Sequence, residues 1–375
     1  MHLEAEKSPS ADAVLELWTS PMEDIPRTVR CHQLHNKHKY SRHRSPRSTP
    51  ATAQSSSNGV VSMASNSNTN TAADDDKEVA HDYGIVRVYK SGRVERPLMS
   101  PPAAAGLDPG TGVESKDVQL GDYSARLYLP PAAGKGKLPV IVYVHGGGFV
   151  AESVASPNGH RFLNHLTAAC PALAVSVEYR LAPEHPLPAA YEDCVAALGW
   201  VLSASDPWVA EHGDLGRVFV VGDSAGANAC HHLLVQPDGA VRLKGAVLIH
   251  PWFWGSEAVG EETRNPAWRA MGGRLWEFAC PGSSGVDDAR MNPMAPGAPG
   301  LGTLACERVM VCVAEGDFLR WRGRAYAEAV AAARGGDGVE LVETEGEGHV
   351  FHLFKPDCDK AKEMFDRIIA FVNAP

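Results

Sequence analysis

Hydrophobic positions along this chain fall into three regimes. Through residues 1–75 they show no helical or strand period. From Ile25 to Ala73 no acidic residue occurs, while Arg27, Arg30, Lys37, Lys39, Arg42, Arg44 and Arg47 stand among Ser, Thr, Asn and His. Such a stretch has too little apolar surface to offset the entropy of ordering it. It is expected to be a disordered N-terminal extension, with the folded domain over residues 76–375. From about residue 80, short β-rich runs (Ile85–Tyr89, Val118–Leu120, Tyr123–Leu129) alternate with Gly/Pro turns and read as edge strands. Beyond them, continuous apolar runs at Val140–Val144, Leu173–Val177, Val218–Val221, Ala246–Ile249 and Val309–Val313 suit strands covered on both faces of a mostly parallel sheet. Between the runs, Cys194, Val195, Leu198, Val201 and Leu202 recur at helical spacing, as do Met364, Phe365, Ile368, Ile369 and Val372. Strands alternating with helices predict a three-layer α/β domain of about 300 residues.

Composition narrows the partners. The 375 residues are 44% hydrophobic, enough for a large core. Residues 1–75 carry eight basic and eight acidic side chains, so the whole net charge of −10 belongs to the remainder. An acidic body repels phosphate backbones and anionic membrane surfaces, which argues against a nucleic-acid partner and favours a small molecule. The best apolar run, Leu138–Val144, is far shorter than the 18 to 20 residues or so that span a bilayer, so no membrane insertion is expected. Eight cysteines without a CxxC pair suggest neither a zinc site nor a disulfide framework. With no secretory pattern at the start, a cytoplasmic protein is expected, with plastid or nuclear targeting by the basic N-terminal segment as the alternative.

Two segments carry chemistry. Val218–Val221 runs into Gly222-Asp223-Ser224-Ala225-Gly226, followed by a helix-like stretch to Val235. This is G-x-S-x-G between a strand and a helix, where flanking glycines allow a strained turn that lifts a serine hydroxyl clear at a helix N-terminus. Val140–Val144 similarly runs into His145-Gly146-Gly147-Gly148-Phe149. Backbone N–H groups on such a loop can point at a developing oxyanion, with the N–H of Ala225 completing the set. His145, at the strand end, is expected to brace the loop.

A nucleophile on this kind of turn is followed in the chain by its acid and then its histidine. That order sets aside His145, His160, His165 and His185. The run Val309–Ala314 leads into Glu315-Gly316-Asp317, so a carboxylate emerges at the carboxyl edge of the sheet. Asp317 is preferred to Glu315 because it lies beyond the glycine that ends the strand. After Val339–Val342, Gly348-His349 falls in a loop at the same edge. His352 is its rival, in a more apolar setting beside Phe351 and Leu353.

With these residues assembled, the chain from about Asp82 onward closely resembles the hormone-sensitive-lipase branch of the α/β-hydrolases, and within it the plant carboxylesterases. The resemblance rests on His145–Phe149, Glu178-Tyr-Arg-Leu-Ala-Pro-Glu184, Pro188-Ala-Ala-Tyr191-Glu-Asp193, Gly222–Asn228, Glu315–Leu319, Pro281–Asp288 and Asn292-Pro293. It implies an α/β-hydrolase fold with a helical cap, drawn partly from the N-terminal stretch near residues 80–110, over an acyl pocket. It implies Ser224 as nucleophile, His349 as base, Asp317 as orienting acid, and an oxyanion hole on Gly147, Gly148 and Ala225. The expected activity is carboxylic ester hydrolysis on small, mostly apolar esters, with no metal or organic cofactor. The same subgroup holds a hormone receptor that lacks the triad histidine, a dehydratase and lactone-forming transferases, so a non-hydrolytic binder or one of these relatives is the alternative. Trp252, Phe253, Trp254 and Trp276 are candidates either for the pocket wall or for core packing.

Overall fold

A computed structural model of the chain describes residues 76–375 except 122, 132, 135, 236–241 and 263–265. The expected extension over residues 1–75, and with it the choice between a cytoplasmic and a targeted protein, lies outside the described residues. Three short strands, β1 (Val79–Asp82), β2 (Arg87–Tyr89) and β3 (Val94–Glu95), form a small antiparallel sheet. The main sheet holds β4 (Glu114–Gln119), β5 (Ser124–Leu129), β6 (Leu138–Val144), β7 (Leu173–Glu178), β8 (Gly213–Asp223), β9 (Leu243–Ile249), β10 (Cys306–Ala314) and β11 (Val339–Thr344). Their spatial order is β11-β10-β9-β8-β6-β7-β5-β4. From β11 to β7 every pairing is parallel, and β5 and β4 are added antiparallel.

The uninterrupted Val/Ile runs are the buried central strands. All seven residues of β6 are buried, as sequence without in/out alternation requires when both faces are covered. One face packs under α2 (Ala189–Leu202), α4 (Ala225–Leu234) and α6 (Arg320–Arg334). The other lies under α1 (Pro157–Ala169) and α8 (Asp359–Asn373), whose Met364, Ile368, Phe371 and Val372 face the sheet. The connections also include α3 (Pro207–His212), α5 (Pro266–Ala279) and α7 (Phe351–Phe354). No helix among the described residues is long and apolar enough to cross a membrane.

Two local expectations change. Tyr123–Leu129 and Ile85–Tyr89 are expected at edges, but β5 is flanked on both sides, with β4 the edge at that end of the sheet, and β2 is the middle strand of the small sheet. Arg126, in the middle of β5, is tolerated at 3% exposure because it forms a forked pair with Asp117 across the strand pair. The N-terminal stretch, expected to contribute a helix, contributes strands: among the described residues no helix precedes Pro157. Prolines and glycines at Gly84, Gly92, Pro97, Pro101, Pro102 and Gly106 interrupt any helical period there. The helical cover over the carboxyl edge is α5, and the strands lean on it through Tyr83, whose ring sits 4.8 Å from that of Phe278.

Candidate active site

Strand β8 ends at Asp223, helix α4 begins at Ala225, and Ser224 makes the turn between them with φ 53° and ψ −118°. A side chain in that region is strained, and such strain persists only where the surroundings enforce it. Here they do. A Cβ on Gly226 would stand 2.0 Å from Val144 O, and one on Gly222 would stand 2.6 Å from the carbonyl carbon of Gly226. The turn is also bonded on both sides: Ser224 N donates to Ile249 O (2.8 Å), and Ser224 O accepts from Trp252 N (3.0 Å). Asn228, one turn along α4, is fully buried and donates to the carbonyls of Trp252 and Arg290 while accepting from the Tyr191 hydroxyl. These bonds leave the Ser224 side chain facing the carboxyl edge of the sheet.

The glycine loop follows β6 beside this turn. Gly147 and Gly148 have φ of +100° and +63°, and a Cβ on Gly147 would come within 2.2 Å of Ala151 O. Gly147 O accepts from the N–H groups of Val150 and Ala151, closing the loop, whereas the Gly147 and Gly148 N–H groups enter none of the loop's backbone bonds among the described residues. The Ala225 N–H is in the first turn of α4, where no intrahelical acceptor exists. Tyr179 stacks on His145 at 4.2 Å and reaches the carbonyls of His145 and Gly146. Burial pushes the His145 imidazole down to about 4, so this bracing residue is neutral. Asp223 joins loop to elbow by accepting from the Tyr143 hydroxyl (2.5 Å) and Gly146 N (3.2 Å). Burial raises its carboxyl to about 6 despite those donors.

On the opposite side, Asp317 leaves the end of β10 and His349 leaves the loop after β11. The structure brings them to Ser224: His349 Nδ1 is 2.8 Å from Asp317 Oδ2, and His349 Nε2 is 2.9 Å from Ser224 Oγ. A carboxylate can only accept, so Nδ1 carries the proton and Nε2 is left to accept from the serine hydroxyl. Burial pushes the Asp317 carboxyl up, but the charge and hydrogen bond of His349, with His250 and the Leu319 N–H, outweigh it and hold it below the usual range. Glu315, the other acid weighed from the sequence, instead accepts from Gly346 N at 2.8 Å. The rival His352 is 4% exposed, packs edge-on against Phe162, and has no hydrogen-bond partner on either ring nitrogen. Burial takes its pKa well below the ordinary value.

Sequence reasoning missed His250. It follows β9 with φ 48°, and its Nδ1 accepts from Val350 N at 2.7 Å and lies 3.7 Å from Asp317 Oδ2. The only trace in the sequence is a histidine ending a buried strand before Pro251. Among the described residues, His250, Asp317 and His349 are also the one trio of such side chains with metal-compatible spacing, their ligand atoms lying within 4.8 Å of one another. Their nitrogens already hold the Val350 and Asp317 hydrogen bonds, which a metal would have to displace.

The cover over the site is apolar. Leu275 of α5 lies against Gly148, where a Cβ would meet it at 2.9 Å. Trp252 sits between Phe149 and Trp276, and Trp254 packs on Phe318, whose ring is 5.7 Å from that of His349. Trp252, Phe253, Trp254 and Trp276 are at most 2% exposed, so they are core residues at the junction of body and cover.

A family model described as the alpha/beta hydrolase fold matches residues 141–353. A probable carboxylesterase of Arabidopsis thaliana is 45% identical over 293 residues, covering 76% of this chain and 93% of its own. A tuliposide A-converting enzyme of Tulipa gesneriana, named as chloroplastic, is 45% identical over 322 residues and covers 81% of each chain. A 2-hydroxyisoflavanone dehydratase of Glycyrrhiza echinata is 41% identical, covering 83% of this chain and all of its own. Among solved structures, an esterase from Pyrobaculum calidifontis superposes with a TM-score of 0.58 at 30% identity, covering 69% of this chain and 84% of its own.

Proposed function

This chain belongs to the α/β-hydrolase fold family, with plant carboxylesterases among its relatives, and on that premise we propose that it hydrolyses small, mostly apolar carboxylic esters through Ser224. The observation that carries the reading is the unbroken relay Ser224 Oγ, His349 Nε2, His349 Nδ1, Asp317 Oδ2, with both links under 3 Å. Ser224 Oγ attacks the ester carbonyl as its proton passes to His349 Nε2. The imidazolium that forms is stabilised and oriented by Asp317, which stays ionised. Negative charge on the carbonyl oxygen is received by the N–H groups of Gly147, Gly148 and Ala225. Donors carried on a closely packed loop and a helix N-terminus would need little reorganisation when charge develops. His349 returns the proton to the leaving alcohol, and water repeats the sequence to release the acid.

The buried aromatic and aliphatic cover supports the apolar preference, since a charged acyl group would be desolvated there without a partner. The relative named as a dehydratase supports a second reading, elimination of water on the same scaffold. A covalent probe separates the two. The wild-type protein should be labelled stoichiometrically by a fluorophosphonate and, before labelling, should release p-nitrophenol from its esters, and Ser224→Ala should do neither. A folded wild-type protein that takes no label would move the non-hydrolytic reading ahead.

A further inference from the structure

We propose that His250 is a positioning residue that holds the His349 loop in register with Asp317, by accepting the Val350 N–H on Nδ1. The inference rests on the triad reading above and deepens it. Val350, directly after His349, has φ 45° and ψ 32°, a left-handed conformation that a β-branched residue takes only when held there. The hold is visible: Val350 N donates to His250 Nδ1 at 2.7 Å. His250 is itself left-handed at φ 48°, and its own N–H donates to Cys312 O on β10, the strand that delivers Asp317. One imidazole therefore ties the loop carrying the base to the strand carrying the acid.

The chemistry of this nitrogen matters as much as its place. Accepting from Val350 leaves Nδ1 without a proton, so the neutral tautomer carries its hydrogen on Nε2, which has no partner. The titratable groups around the ring are Asp317 after β10, His349 after β11 and His352 on α7, with Phe351 stacked at 5.8 Å. Burial keeps the ring neutral, pulling its pKa to about 4 against the attraction of Asp317. Were Nδ1 protonated, it would lose the Val350 donor and turn an N–H toward Asp317 Oδ2, 3.7 Å away. The carboxylate would then divide its charge between two imidazoles, weakening its hold on His349. Neutral His250 leaves Asp317 to one partner.

The test compares His250→Asn with His250→Phe in the full chain. Asparagine keeps an acceptor at about the place of Nδ1, whereas phenylalanine fills the space and leaves the Val350 N–H buried without a partner. Each variant is titrated with the fluorophosphonate, and kcat is expressed per labelled site, so misfolded protein is not counted. His250→Phe should lose about 10- to 100-fold in kcat with KM nearly unchanged, the scale on which a displaced catalytic group acts. The acid limb of its kcat–pH profile should also move, because the His349–Asp317 contact loosens. His250→Asn should stay within about fivefold of wild type with the acid limb in place. The inference fails if His250→Phe, per labelled site, keeps kcat within threefold or so and an unmoved acid limb, or if asparagine is as damaging as phenylalanine. Failure of the triad reading looks different, since then the folded wild-type protein would take no label, or Ser224→Ala would still label or hydrolyse.

Discussion

The two sides of the site are built on different physical principles. On the nucleophile side, Gly222, Gly226 and Gly147 occupy places where a Cβ would overlap backbone at 2.0 to 2.6 Å, so backbone contact too close for any side chain adds to the hydrogen bonds that hold the turn and the loop. On the base side, His349 is held by hydrogen bonds: Asp317 on its Nδ1, His250 on the amide that follows, and Glu315 on the amide of Gly346. A Cβ on Gly346 would meet only the flexible end of Lys360 at 3.1 Å. The first side is rigid because nothing else fits. The second is ordered because specific donors and acceptors meet. This division suits the proposed chemistry, in which a nucleophile and its oxyanion donors would gain from being fixed, while a base would have to turn its proton between an attacking and a departing oxygen.

The largest effect should come from breaking the relay where the sides meet. His349→Val removes the base and keeps a packing side chain, and turnover on a p-nitrophenyl ester should fall on the order of 10⁴- to 10⁶-fold. Binding of a non-hydrolysable analogue should weaken far less, because the glycine loop stands on the other side. Turnover within about tenfold of wild type would pass the role to His352, tested by the same substitution there.

Stability should separate the two sides next. Gly226→Ala forces a methyl group into Val144 O and should cost about 3 kcal/mol or more, with a clear drop in melting temperature. Gly346→Ala, on the base side, meets only the movable end of Lys360 but keeps a left-handed φ of +68°, and should cost only about 1 kcal/mol. Equal losses in thermal unfolding would contradict a sterically fixed nucleophile side.

Acid should act on both sides together and most gently per group. His145, on the glycine loop, and His250, on the base side, have folded pKa values of about 4, against an unfolded value near 6.5. His231, buried on α4 against Tyr326, is lower still, at about 3. Each depressed histidine binds its proton more readily when unfolded, so its contribution is complete above pH 6.5 or so and is lost as pH falls toward 4. The loss is about 1 to 2 kcal/mol per histidine at pH 5. Asp223, raised to about 6, acts in the opposite sense and offsets part of it. Urea midpoints should therefore fall between pH 7 and 5, and a flat profile would mean the histidines are not buried neutral in solution.

The same division decides what could be read beforehand. A steric requirement writes itself into the chain as glycine, so Gly222-x-Ser224-x-Gly226 and Gly146–Gly148 mark the turn and the loop in the sequence itself. The apolar runs announced the central strands because full burial on both faces excludes polar residues. Order along the chain, with Gly316 and the apolar setting of His352, narrowed the acids and histidines to Asp317 and His349, and His349 is found within hydrogen-bond distance of both Asp317 and Ser224. What only the tertiary structure decided was which residues serve as partners from a distance in sequence. His250 lies 100 residues from the amide it receives, Asp117 accommodates Arg126 in an inner strand, and α5 rather than a helix from residues 80–110 forms the helical cover among the described residues. A hydrogen bond asks only for one acceptor near one donor, which many residues can supply from anywhere in the chain. Its requirement therefore leaves no local pattern, and it appears only once the strands have been brought side by side.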